Sequence, residues 1–315
     1  MKLRGLALQA ALAAVLALLF WWFYSNAAAN LAARGIASGF AFLRREAGFE
    51  IGETTFAAYS AADSYLRALA IGLANTIRVA ALGVLLATAL GAAAGLARLA
   101  PNWLLGKLAG AYVEAVRNVP LLVQLFFWYA LITEGLPAPA EALHPLPGVF
   151  LSNRGIHFPL PGDLPVLSGF NFTGGGALTP EFAALLAGLT VYTAGFVAEI
   201  VRAGVLSVPR GQLEAARSLG LGRRDELRYV VLPQALRLMV PPMTSQYLNL
   251  AKNSSLAVAI GYPDLVSIAN TTMNQTGQAI EGVAVIMAVF LTISLSISAL
   301  MNRYNRRAAL RGLAP

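Results

Sequence analysis

Apolar and polar residues follow one another along this chain in long blocks, not at the short periods of a half-buried helix or strand. Six blocks read as membrane spans. About 20 apolar residues at 1.5 Å each cross a hydrocarbon core of about 30 Å. Leu6 to Tyr24 is almost wholly apolar and ends in Trp21, Trp22, Phe23 and Tyr24, an aromatic cluster of the kind found at membrane interfaces. It exceeds the roughly 7–15 apolar residues of a secretory signal, so it reads as a retained first span, with a cleaved signal peptide as the alternative. Tyr65 to Leu99 is the second, with a fully apolar part from Val79 to Ala97 and a Gly91–Gly95 spacing that permits close helix packing or reflects composition alone. Tyr112 to Leu131 and Pro180 to Leu206 are the third and fourth, Pro241 and Pro242 open a short fifth to about Tyr262, and Val283 to Leu300 is the last.

Between these lie three segments too polar to span. Ser25 to Ser64 carries nearly balanced charges and is expected outside, partly as a helix on the membrane surface. Glu134 to Thr179 is rich in Pro and Gly and predicts an irregular external loop. Pro263 to Gly282 is expected outside as well. Six spans put both termini on one side, and the Lys/Arg distribution says which. One set of ends carries Lys2, Arg4, Arg98, Lys107, Arg210, Arg217, Arg223, Arg224, Arg228, Arg237, Arg303, Arg306, Arg307 and Arg311, against Arg34, Arg44, Arg45, Arg67 and Arg154 on the other. The first set, with both termini, is cytoplasmic.

The chain is organised around Gly211 to Pro233, GQLEAARSLGLGRRDELRYVVLP, a polar, basic stretch between two apolar regions. Pro209 suits a first helical position, Gly220 fits a left-handed helix stop, and a second helical run, Arg223 to Leu232, is expected to end at Pro233. Glu214-Ala215-Ala216, three residues, Gly220, nine residues, then Val230-x-Leu232-Pro233 resembles the EAA loop of ABC-importer permeases, whose pattern is E-A-A, three residues, G, nine residues, I-x-L-P. A helical hairpin lying on lipid headgroups would explain the basicity but not this spacing. The resemblance implies a coupling helix that docks in a cleft of a cytoplasmic ATPase, with Glu214, Ala215, Ala216, Gly220, Leu232 and Pro233 as the coupling residues. Small Ala215 and Ala216 allow close approach, and Glu214 offers a carboxylate to a basic partner group.

Further stretches narrow the resemblance. Arg117-Asn118-Val119-Pro120-Leu121-Leu122-Val123-Gln124-Leu125 is similar to the RGTPLLVQL signature of polar amino-acid permeases, with Asn118 and Val119 in place of Gly and Thr. Gly72-Leu73-Ala74-Asn75-Thr76 points the same way, and Asn153-Arg154-Gly155 with the following prolines resembles an insert of general L-amino-acid permeases. The resemblance covers about residues 67–300. It implies an all-α integral membrane protein with the type I ABC-importer transmembrane fold: about six spans, a core of five plus an N-terminal span. Residues 1–64 would form the first span and an external segment, 65–302 the permease domain, with an external loop at 134–179 and the coupling loop at 207–240, and 303–315 a basic tail. The implied partners are an ABC ATPase dimer carrying ATP-Mg, a second permease subunit that is a related chain or a second copy, a periplasmic amino-acid-binding protein, and the bacterial inner membrane.

Composition agrees with this class. Of 315 residues 57% are hydrophobic and 12% charged, where soluble domains carry about 25% charged. The net charge of +8 borders apolar spans and no nucleic-acid motif accompanies it, so nucleic acid is no partner. There is no Cys, and His144 and His157 are the only histidines, so neither thiol chemistry nor a metal site is expected. No P-loop, GxSxG or HExxH occurs, so the chain reads as a non-enzyme with no cofactor of its own. Ionisable residues within apolar helices are costly and usually face a partner or a polar cavity. Glu114, Arg117 and Arg202 are near enough to the inner surface to snorkel, whereas Arg78, Glu199, Lys252 and Asn253 are candidates for a translocation path. The competing function is a single-chain, ion-coupled amino-acid carrier; it calls for internal repeats, and none is visible.

Overall fold

The computed structural model describes residues 2–33, 35, 38–54 and 57–310; Arg34 and Arg311, counted above in the charge balance, lie outside them. The first helix, α1 (Lys2–Ala33), continues past the aromatic cluster, and the whole of its apolar window is exposed. Among the described residues no α-helix follows it before Tyr65. A 3-10 turn at Phe40–Arg44 leads into a strap, and Phe42 of the turn with Ala47 and Ile51 of the strap packs in one buried cluster with Tyr65, Leu69 and Ile268.

α2 (Tyr65–Ala97) starts at Ser64, whose side chain accepts the Arg67 N–H. α3 (Trp103–Asn118) is capped by the Asn102 side chain. The predicted third span is not one helix, because α3 and α4 (Leu121–Thr133) meet at 106°. Pro120 is the cause: the residue before a proline is pushed out of the helical region, and Val119 is extended at φ −98°, ψ 127°. The Gln124 side chain donates to the Val116 and Val119 carbonyls at 2.9 and 3.0 Å and satisfies groups the break exposes.

α5 (Pro180–Leu206) is the hub, with Pro180 in its first turn and the Thr179 hydroxyl accepting the Phe182 N–H. It packs on α2, α4 and, further along the chain, α8. The Gly91–Gly95 pair is structural. A methyl group on Gly91 would lie 2.5 Å from Val197 Cβ, and one on Gly95 2.6 Å from the Ala198 carbonyl, so the two backbones touch where no side chain fits.

The loop after α5 holds α6 (Arg210–Ser218) and the single turn α7 (Arg223–Asp225), followed by a π turn at Glu226–Val231. α8 (Leu232–Asn253) then runs through Pro233, Pro241 and Pro242. The expected stop at Pro233 is therefore absent. A proline clashes with the carbonyl four residues back, and the wider π turn ending at Val231 relieves that clash. The expected short span opening at Pro241 is likewise the second half of a longer helix. A 3-10 turn (Ser254–Ile260), α9 (Leu265–Thr276) and α10 (Ala279–Leu310) complete the chain. Among the described residues four helices are long and apolar enough to cross a membrane, five if the bent α3–α4 pair counts as one span; α8, more polar, is the expected span that falls short of this measure.

The Pro/Gly-rich loop is ordered as β structure, a departure from an all-α chain. Strands β1 (Leu143–Leu146), β2 (Val149–Ser152), β3 (Gly155–Phe158) and β6 (Gly176–Leu178) form an antiparallel sheet in that order, and β4 (Val166–Ser168) and β5 (Asn171–Thr173) form a separate hairpin. Asn153 and Arg154 are the two-residue turn between β2 and β3. Gly155 is required there: its φ is +111°, and a Cβ would sit 2.1 Å from the Leu178 carbonyl.

A candidate coupling surface and its mounting

α6 is built by local rules. Pro209 sits just ahead of it as the capping residue, one position earlier than expected. At the other end Leu221 N–H donates to the Ala216 carbonyl at 3.1 Å and Gly220 N–H to that of Arg217 at 2.9 Å, the paired bonds of a Schellman stop. Gly220 takes the left-handed conformation this stop needs, φ +79°.

The helix has two faces. Glu214, Ala215 and Leu219 are exposed, Leu219 by 82% of its surface. Ala216 points inward, so of the two alanines only Ala215 lies on the open side. The Glu214 carboxylate makes no ion pair among the described residues. Leu232 and Pro233 are exposed at the start of α8.

The inner face is stapled. Arg217 grips Glu226 with two bonds, Nε to Oε2 at 2.7 Å and Nη2 to Oε1 at 3.1 Å. Bidentate guanidinium–carboxylate pairs fix orientation as well as distance. These bonds hold the Glu226 carboxyl below its ordinary range and raise Arg217. Gln234 on the first turn of α8 donates to Gln212 on α6 and, at 2.9 Å, to the Val230 carbonyl. A cleft of about 530 Å³ lies behind α6, lined by residues that include Val205, Leu213, Leu227 and Val231. The loop stands on the α5–α8 pair, where Val197, Val201, Ala235 and Met239 form one buried cluster and Gly204 lets Met239 approach. α6 is thus joined to the α5–α8 pair through the π turn and the Gln212–Gln234 contact. Neither Glu226 nor Gln234 was singled out from the sequence; the only signal was an acid nine residues after Arg217.

The candidate path residues are spread along the molecule. Arg78 pairs with Glu53 near the outer end. Glu199 is held between Arg98 and Arg202 at the C-terminal ends of α2 and α5. It lies 17 residues along α5 from Phe182, which Arg78 touches, or about 25 Å at helical rise. Lys252 is exposed on α8, in line with Leu238, Pro242, Ser245 and Asn249, and Asn253 is half-buried at its end. Spacings of three and four place these five exposed residues on one helix face.

The sequence profile described as "Binding-protein-dependent transport system inner membrane component" matches residues 87–310. A putative amino-acid ABC transporter permease protein, YhdX, of Escherichia coli K12 is 46% identical, over 92% of this chain and 90% of its own length. The general L-amino acid transport system permease protein AapQ of Rhizobium johnstonii is 40% identical, over 98% and 93%. Among solved structures, an amino acid ABC transporter crystallised with histidines superposes with a TM-score of 0.57 at 27% identity, over 77% of this chain and 95% of that one. The inward-facing MetNI methionine ABC transporter, at 18% identity and a TM-score of 0.55, shares the fold. The loop on α5 and α8 and the match across residues 87–310 together make this chain a member of the binding-protein-dependent transport system inner membrane component family, with the type I ABC-importer transmembrane fold.

Proposed function

We propose that this chain is a permease subunit of an ATP-driven, binding-protein-dependent importer of polar or broad-range L-amino acids in a bacterial inner membrane. The observation that carries this reading is α6: a short helix with Glu214, Ala215 and Leu219 open on one side and bolted through Arg217 and Gln212 on the other. A rigid helix with a bare acidic and small-residue face suits a cleft on a cytoplasmic ATPase, with Gly220, Leu232 and Pro233 shaping its exit. ATP-Mg would bind the ATPase dimer, and closure of that dimer would push α6 and rock α5 against α8.

The polar stripe of α8 supports a path along this helix. Ser245, Asn249 and Lys252 face away from this chain's core and would meet the same surface of a second permease subunit, related or identical, with Asn253 beside them. A periplasmic amino-acid-binding protein would deliver substrate at the outer ends. Lys252 suits a substrate carboxylate, and Arg78 and Glu199 would flank the route at its two ends.

The test is purification of the tagged chain from its native membrane with crosslinking from a cysteine at Ala215. Recovery of an ATPase crosslinked there, and loss of uptake in Glu214→Lys and Gly220→Asp with membrane insertion unchanged, is the expected result. Normal uptake by both variants, or uptake that survives ATP depletion and stops when the proton gradient collapses, would overturn it in favour of an ion-coupled carrier.

A further inference from the structure

Glu53 enters the helical core from the external strap and is almost fully enclosed. Its side chain is 7% exposed and that of its partner Arg78 11%. Each carboxylate oxygen has its own donor: Arg78 Nη1 to Oε1 at 2.6 Å and the Thr179 hydroxyl to Oε2 at 2.8 Å. The Asn75 side chain donates to the Glu53 backbone carbonyl at 3.0 Å and to that of Pro263 at the same distance. The Arg78 guanidinium lies 3.9 Å above the Phe182 ring, which packs on Tyr262 at 5.9 Å between centroids.

Two features set this pair apart from an ordinary buried ion pair. The first is that the side chains named around the carboxylate stand on the helical framework: Asn75 and Arg78 on α2, Thr179 and Phe182 at the start of α5. The second is that the carboxylate arrives on an irregular strap, whereas its guanidinium partner stands in mid-helix. A desolvated guanidinium stacked on an aromatic face requires an anion, and a separate donor for each oxygen selects a carboxylate. We propose that Arg78, Thr179 and Phe182 form a carboxylate-binding site that this chain fills with Glu53 as a tethered ligand. A free carboxylate arriving from the outer side, such as the α-carboxylate of an amino acid, competes for the site and releases the strap from α2 and α5. This inference is independent of how α6 engages its partner, because its test reads binding and not transport.

The experiment uses the purified full chain carrying Glu53→Ala. Thermal unfolding is followed in acetate and in chloride at equal ionic strength. Acetate is expected to raise the midpoint by several degrees over chloride in Glu53→Ala and to have no such advantage in the Glu53→Ala/Arg78→Leu double variant. A folded Glu53→Ala chain that is indifferent to acetate would overturn the proposal and leave a purely structural pair. Should Glu53→Ala fail to insert, the same question is put to the natural strap. The chain has no Cys, so a single cysteine at Thr54 reports on the strap through its rate of modification by an impermeant maleimide. The rate is expected to rise in Glu53→Gln, and to rise with acetate when Glu53 is present. Equal rates in all three conditions would overturn the proposal.

Discussion

Arg217 holds both carboxylate oxygens of Glu226, and through them ties the exposed helix α6 to the π turn that begins α8. The pairing keeps the Glu226 carboxyl below its ordinary range, which fixes the sign of its pH dependence. A carboxyl depressed in the folded state stabilises above its unfolded value, about 4.3, and that contribution is lost as pH falls through the folded value. At neutral pH Glu226→Gln should therefore leave α6 less protected from hydrogen exchange than in the natural chain. With intrinsic rates corrected, the gap should close at acid pH. A gap that persists with Glu226 protonated would show that packing, not the ion pair, holds α6.

Gly220 gives a second, local prediction. No atom lies within 4 Å of where its Cβ would be, so only the backbone conformation at φ +79° resists a side chain. Gly220→Val should cost α6 about 1–2 kcal/mol and Gly220→Asn less, because asparagine visits the left-handed region more readily. Proteolysis rates at Leu219–Leu221 would rank glycine, asparagine and valine in that order of resistance.

Gly91 and Gly95 make a third. Overpacking typically costs about 1–3 kcal/mol, and at each position a methyl group meets backbone or Val197 and Val201 rather than a yielding side-chain tip. Gly91→Val and Gly95→Val should each lower the thermal midpoint of the detergent-solubilised chain by several degrees. Gly110→Ala, in open space on α3, is the control and should leave it unchanged.

His157 supplies the fourth. It lies 4% exposed in the external sheet, its ring 5.0 Å from that of Phe172, and its Nδ1 has no hydrogen-bond partner among the described residues. Burial lowers its pKa, so the unfolded chain takes up a proton before the folded one. The sheet should lose stability as pH falls through about 6.5 towards the lower folded value. Exchange protection of β2 and β3 should drop between neutral and mildly acid pH and stop doing so in His157→Phe. Protection that falls equally in both would remove His157 as the cause.

What could be read from the sequence divides by distance along the chain. The α6 stop at Gly220 was legible because a Schellman turn is written in consecutive residues, and Pro180–Leu206 because no charge interrupts it from Phe182 to Ala198. The rule that a proline ends a helix failed at Pro233 and at Pro241–Pro242. A π turn and tertiary packing outweighed it, and neither has a signature in single residues. The strands between Leu143 and Leu178 are three or four residues long, too short for an alternating pattern to emerge from the Pro/Gly background. Glu53 was the least legible. It is one of several acids in a segment of balanced charge, and only folding brings it beneath Arg78 and Thr179. Of the path candidates, Arg78 and Glu199 were visible as charges in apolar helices, but their partners Glu53 and Arg98 were not.

The stripe on α8 has a consequence for the life of the chain before assembly. Asn249 and Lys252 lie exposed on a helix packed beside α5 and α10. Where α8 sits at membrane depth, hydrocarbon solvates such groups poorly, and a newly inserted copy without its counterpart would present a polar blemish to the bilayer. A copy so exposed would be open to membrane proteases. The abundance of this subunit in a cell should therefore follow the supply of the surface that hides the stripe, and surplus copies should be short-lived.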